Sequence, residues 1–378
     1  MDRRFFLQAL GAVTLQQLLS ACQQNNRNVL EVHSLQKTLP PQLIGKFRSK
    51  SQVSLQLTLQ SSPQEIFSQL GKWHKEVQSE TAADSNQGST ASTPSIERPS
   101  RLASLGDYWL TQAIQQDLIQ PINVEKLSRW SALAPQWQQL VRRDRNGHPK
   151  PDGQVWGIPY RWGATLIAYR PDKFKKLGWE PQDWSDLWRP ELQGRISLLN
   201  QPREVIGLTL KKLQKSYNDQ NLETLSALPQ ALEQLNQQAL FYDSTHYLEP
   251  LILEDTWAAV GWSSDILPTL AREPDLKAVV PTSGTALWAD LWVQPHPQQT
   301  EAANQWMNFW WEEAIANNLS EFTAAVSPVR SQSPSEKSQS RLLVVDPDRY
   351  KRSEFLLPLP STTLEQYQKL WQTLQTNR

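Results

Sequence analysis

The sequence predicts an α/β fold, and three observations carry the prediction. Runs with apolar residues at every second position alternate along the chain with runs whose apolar residues recur at helical spacing. Several helical runs open with a proline or a capping signal. The pattern continues to the C-terminus, where STTLEQYQKLWQTLQ reads as one more helix with a Thr362/Glu365 capping box.

In order, NVLEVHSL reads as a strand, PPQLIGKF as a helix, and VSLQLTLQ as a strand in which Val53, Leu55, Leu57 and Leu59 alternate with polar neighbours. Ser62-Pro63-Gln64-Glu65 is a capping box with proline at the first helical position, and Ile66, Phe67, Leu70, Trp73 and Val77 form the apolar face behind it. Residues 79–100, rich in Ser, Thr and Pro, cannot repay their ordering entropy and read as a disordered surface insertion. RLASL is then a strand, GDYW a turn and LTQAIQQDLI a helix. QVWGIPYRWGATLIAYR reads as strand, turn and strand, and DWSDLWRPELQGRISLL as a helix followed by a strand. PREVIGLTLKKLQ is a helix opened by Pro202, DTWAAVGW a strand, SSDILPTL a short helix, GTALWADLWVQP a strand, and AANQWMNFWWEEAIANN a helix. No internal repeat is visible.

The first 22 residues read as an export signal. Arg3 and Arg4 precede an apolar stretch interrupted by Gln16 and Gln17, and no run reaches the ~18 apolar residues that span a bilayer. RRFFLQ resembles a twin-arginine signal and LSAC resembles a lipobox, so residues 1–21 are expected to be removed and Cys22 acylated. Gln23–Asn28 would be the tether of a lipid-anchored, periplasmic or cell-envelope protein. Acyl chains contribute about 0.8 kcal/mol per buried methylene, which holds such a protein on a membrane face.

Composition narrows the function. The 378 residues carry 38 basic and 38 acidic side chains, and loss of residues 1–21 leaves 36 and 37, a net charge of −1. Such balance supplies no global field for nucleic acid. One cysteine allows no intrachain disulfide, and the five histidines stand singly, without metal-ligand spacing. No nucleophile motif, phosphate loop or dinucleotide fingerprint occurs, so no catalytic residue, metal or cofactor is expected. Tryptophan, at 17 residues, is the outlier: the rings build the core or some of them face a ligand.

Five blocks, GDYWLTQAIQQDLIQPIN, VWGIPYRWGATLIAYR, WSDLWRPELQGRISLLNQPREVIG, AAVGWSSDI and TALWADLWVQP, resemble in order and spacing the spermidine/putrescine-binding family of ABC-importer substrate-binding proteins. The resemblance implies a type II-like periplasmic binding fold: two α/β lobes joined by crossing strands, a ligand held in the cleft by hinge closure, and permease subunits as partners. IPYRWGATLIAY looks like the first crossing and ALWADLW lies near the second. The lobes are expected at 29–161 plus 288–325 and at 162–287 plus 326–378.

A polyamine needs aromatic faces for its methylenes and carboxylates for its ammonium groups. Each ring contributes about 0.5–2 kcal/mol, against about 8 kcal/mol for micromolar binding. Trp288 and Asp290, two apart on an expected strand, point to one side and match the family's Trp-x-Asp pair. Trp262, at a strand end before a helix, matches a cage aromatic. Glu204, in the first turn of its helix, matches a family acid, and Tyr108 matches a cage tyrosine with Trp109 beside it. The plainer alternatives are core packing for the rings and dipole compensation for Glu204. Trp73, Trp130, Trp137, Trp184, Trp188 and Trp306 are expected to pack.

The chain also departs from the family pattern. Leu35, Gln36 and Thr38 stand where the family has a Trp-Thr-x-Tyr cluster, Gln201 replaces an acid, and Ala325 and Leu356 fall near later cage positions. One carboxylate fewer suggests a ligand with fewer ammonium groups, or a different ligand. Two other functions fit the composition: a degenerate binding protein acting as envelope scaffold or sensor partner, and a secreted carbohydrate-active enzyme using acids among Asp107, Glu204, Asp265 and Asp290.

Overall fold

The computed structural model describes residues 28–86, 99–295, 299–344 and 346–376. Arg3, Arg4, Cys22 and most of the expected tether lie outside the described residues. The chain forms two compact units, one from residues up to Ile158 with Leu291–Glu312, the other from Pro159–Asp290 with Glu313–Arg378. The first two exchange points lie three residues from the expected ones. Residues 313–325, expected in the first lobe, belong to the second unit. Their expected helix breaks into Glu301–Trp310 and Glu313–Phe322. The second piece is tied to its own neighbours, with Ser320 Oγ accepting from the Ser327 N–H at 2.9 Å and Ser320 O accepting from Ser338 Oγ at 3.0 Å.

In the first unit β1 (Val29–Leu35) pairs in parallel with β2 (Ser54–Gln60) and with β3 (Ser100–Gly106). The intervening helices Pro41–Lys50 and Pro63–Asn86 bury Leu43, Phe47, Ile66, Leu70 and Trp73. Ser62 Oγ accepts from the Glu65 N–H at 3.3 Å, as in the expected box, while the Glu65 carboxylate reaches one residue further back and accepts the Ser61 N–H at 3.0 Å. Of the expected insertion, residues 79–86 continue the helix and Ser100 begins β3, while 87–98 lie outside the described residues. The helix expected over LTQAIQQDLI stops at Gln115, because Asp117 turns left-handed at φ 53°. A short hairpin of β4 (Arg142–Arg143) and β5 (Gln154–Val155) follows. Trp306 meets Phe47 edge-on at 4.9 Å and Trp292 at 5.2 Å, so here the tryptophan excess is core.

The second unit is built on β6 (Ile158–Tyr169), buried along all 12 residues. The expected strand, turn and strand appear as β5, a break at residues 156–157, and β6, which runs straight through Gly163. Beside it follow β7 (Ile196–Leu198), β8 (Ala239–Tyr242), β9 (Ala258–Trp262), β10 (Lys277–Val279), β11 (Ala286–Val293) and β12 (Glu354–Phe355). β7 pairs in parallel with β8 and β9, β6 runs antiparallel to β9 and β10, and β12 is parallel to β11. Trp184 is fully buried in a 3-10 helix, Trp184–Trp188, that Asp183 and Asp186 cap reciprocally, and Trp188 is partly buried against the same core. Trp73, Trp130, Trp137 and Trp306 are buried in the first unit, as expected for packing residues. The last helix, Ser361–Thr376, starts one residue before Thr362, so that threonine is not its cap; Tyr367 and Leu374 enter the second unit's core. Among the described residues no helix is long and apolar enough to cross a membrane.

Candidate functional site

Trp288 and Asp290 lie on β11, Trp262 ends β9, and Glu204 sits in the first turn of helix Pro202–Lys212; all belong to the second unit. β6, whose sheet neighbours are β11 and β9, joins them. Arg161, Gly163 and Thr165 alternate along β6 and therefore share one face. Each meets one part of the row.

At one end Arg161 holds Asp290. Its Nε donates to Asp290 Oδ2 at 2.6 Å and its Nη2 lies 2.5 Å from the same oxygen, and the two side chains are only 8% and 9% exposed. Removing one partner of so buried a pair typically costs about 3–5 kcal/mol, because the other charge is left unpaired. The guanidinium also lies over the Trp288 ring, 5.4 Å from its centroid. Burial works against the Arg161 charge, but Asp290 and the Tyr160 hydroxyl more than offset it, so the guanidinium is held above its ordinary range.

In the middle, Trp288 passes directly over Gly163. A Cβ at that position would lie 2.2 Å from Trp288 Cζ2 and 2.3 Å from Ser263 Oγ, so only glycine allows the indole to settle onto the strand. The Ala164 N–H donates to Ser263 Oγ at 3.2 Å, which ties the first residue of helix Ser263–Leu270 to β6. The Trp288 indole N–H is buried without an acceptor among the described residues.

At the other end Glu204 is buried, 6% exposed, and bonded only to neutral donors. Trp262 Nε1 donates to Oε1 and Thr165 Oγ1 donates to Oε2, both at 3.0 Å. Thr165 stands opposite Trp262 in the β6–β9 register, which is why both reach the same carboxylate. Burial raises the Glu204 carboxyl above its ordinary value; the Trp262 and Thr165 bonds and the Arg203 charge pull the other way but do not cancel it. Arg203 makes no hydrogen bond to Glu204; its Nη2 donates to Asn218 Oδ1 and Leu357 O, both at 3.1 Å. The Trp262 N–H donates to Tyr247 Oη at 3.2 Å, and Tyr247 Oη donates to Asp265 Oδ2 at 3.1 Å. This clamp fixes the half-buried indole.

The structure thus brings four of the expected residues into one row. Tyr108 and Trp109 belong to the first unit, where Tyr108 is 59% exposed and Trp109 packs on Phe67 at 5.2 Å. Arg161, Gly163 and Thr165 were missed by the sequence reading. A lone arginine in a long apolar strand signals a buried partner, since an unpaired charge there is prohibitive. Among the described residues no group of three or more His, Cys, Asp or Glu side chains could hold a metal ion.

Residues 102–352 match the family model described as bacterial extracellular solute-binding protein. The spermidine/putrescine-binding periplasmic protein of Escherichia coli K12 is 23% identical over 371 residues, which cover 96% of this chain and 97% of that protein. The spermidine/putrescine ABC transporter substrate-binding protein PotD of Streptococcus pneumoniae superposes with a TM-score of 0.76 at 20% identity, over 93% of this chain and 99% of that one. The ferric ion-binding protein A of Pasteurella haemolytica superposes with a TM-score of 0.59 at 14% identity, over 93% and 99%. The chain therefore has the mixed α/β periplasmic-binding-protein fold, a fold that proteins with chemically distant ligands share.

Proposed function

Because the chain belongs to the bacterial extracellular solute-binding proteins, we propose that it is the binding protein of an ABC importer in the polyamine group and carries a small amine-bearing ligand to permease subunits. Proteins of this family bind rather than transform, so the carbohydrate-active alternative is withdrawn. One observation carries the cationic reading: a buried carboxylate, Glu204, held by the half-buried Trp262 indole in the same row as Trp288. An indole face accepts methylenes and a cation, and the carboxylate replaces hydration lost by an ammonium. Trp262, Trp288 and Glu204 are the proposed contacts of the second unit, Tyr108 and Trp109 those of the first.

Calorimetry of the purified protein against mono-, di- and polyamines tests this reading, with intrinsic fluorescence as a second signal. Heat with at least one amine is expected, and Trp262→Ala should weaken binding about tenfold, near the upper end of a desolvated cation–π contact. No heat across the panel would remove the amine. Anchoring through Cys22 is part of the same proposal: Cys22→Ala should move the protein from the membrane to the soluble fraction, and an unchanged distribution would count against the anchor.

A further inference from the structure

On the reading above, that the row binds a small amine, we propose that Arg161 is a resident cation that sets the ligand class: the site takes a ligand with one ammonium group, not an α,ω-diamine or longer polyamine. A cation site in a protein needs a carboxylate and an aromatic face with little water between them. The Asp290 end of the row has both, and Arg161 already occupies it, its guanidinium 5.4 Å from the Trp288 centroid, with Nε donating to Asp290 Oδ2 and Nη2 2.5 Å from that oxygen.

The arginine is held by the chain and always charged, whereas a ligand ammonium arrives from dilute solution and titrates. To use Asp290 a second ammonium would have to sit beside the guanidinium in a poorly screened environment, or expel it from a strand paired on its flanks. Trp288 adds a buried N–H without an acceptor. This end therefore has donors in surplus, the wrong complement for an ammonium, which is itself only a donor. A neutral hydroxyl can both accept and donate, and it suits the place. The Glu204 end differs, since its oxygens are bonded only by the neutral donors Trp262 and Thr165, and the nearby Arg203 puts its Nη2 on Asn218 Oδ1 and Leu357 O rather than on the carboxylate. It can meet one ammonium and no more.

The test uses ligands of one length: 1,4-diaminobutane and 4-aminobutan-1-ol, titrated by calorimetry into the whole protein, into Arg161→Met, and into Arg161→Met/Asp290→Asn. The wild type should prefer the amino alcohol at least tenfold. Arg161→Met, which frees Asp290, should shift that preference about tenfold or more toward the diamine, and the double variant should not. A wild type that prefers the diamine overturns the proposal, and does so even if Arg161→Met fails to fold. An equal diamine gain in the double variant overturns it too, because the gain would not come from the freed carboxylate. Binding of either ligand keeps the amine reading intact in these cases; binding of neither, and of no other amine, removes that reading and this inference with it.

Discussion

The two ends of the row solve one problem in opposite ways. Asp290 and Glu204 are both carboxylates only 6% exposed, yet Asp290 is met by a full charge and Glu204 by an indole and a hydroxyl. At Asp290 a resident guanidinium already sits on Oδ2. Neutral donors only partly offset burial, so the Glu204 carboxyl stays raised above its ordinary value and no resident cation is bonded to its oxygens. Burial alone therefore does not mark a ligand carboxylate; the neighbours decide.

Removing one side of the charged end is expected to have the largest effect on stability. Arg161→Ala should cost about 3–5 kcal/mol in denaturant unfolding, with most of it recovered when Asp290→Asn is added, since exchanging both members of such a pair is close to neutral. A loss no larger than that of an exposed substitution would show that the two ends are not different in kind. Gly163→Ala acts between them. Its methyl collides with Trp288 and Ser263, so we expect a loss of about 1–3 kcal/mol from overpacking and a blue- or red-shifted tryptophan emission as the indole moves. Unchanged emission would mean that the ring is not seated by this close approach.

The smallest effect is expected at the neutral end, and its sign is distinctive. With its carboxyl raised above 4.5 in the folded protein, Glu204 contributes stability at low pH that is lost as pH climbs through the raised value. Glu204→Gln has no such term, so its stability relative to wild type should improve from about pH 4.5 upward. A difference that is flat, or that runs the other way, would show the carboxyl is not raised and would narrow the contrast with Asp290.

The two ends also differ in how far they could be read from sequence. The period-2 rule put Trp288 and Asp290 on one side of a strand, and the position of Glu204 after Pro202 put it in a first helical turn. Those are local rules, and the structure follows them. The partner of Asp290 is 129 residues earlier in the chain, so no local pattern joins the two. Gly163 is there to admit an indole rather than to bend the backbone, and a glycine's two uses look alike in sequence. The Thr165–Trp262 pairing likewise depends on sheet register, which no single segment encodes. Most tryptophans were legible as packing because they lie on apolar helical faces. The split of helix 301–322 was not, because its apolar spacing continues across the break.

The last helix has a bearing on the order of folding as well as on packing. Tyr367 lies under Arg203, 5.1 Å from the guanidinium carbon, Gln366 Oε1 accepts the Leu222 N–H at 3.1 Å, and Thr363 Oγ1 donates to Gln220 O at 2.9 Å. The Arg203 contact braces the helix that carries Glu204, and the other two brace the segment after it, across sequence separations of 144 and 143 residues. Contacts of such range form late in folding, because the loop entropy must be met before they reward it. The seat of Glu204 is therefore expected to be among the last parts of the second unit to set.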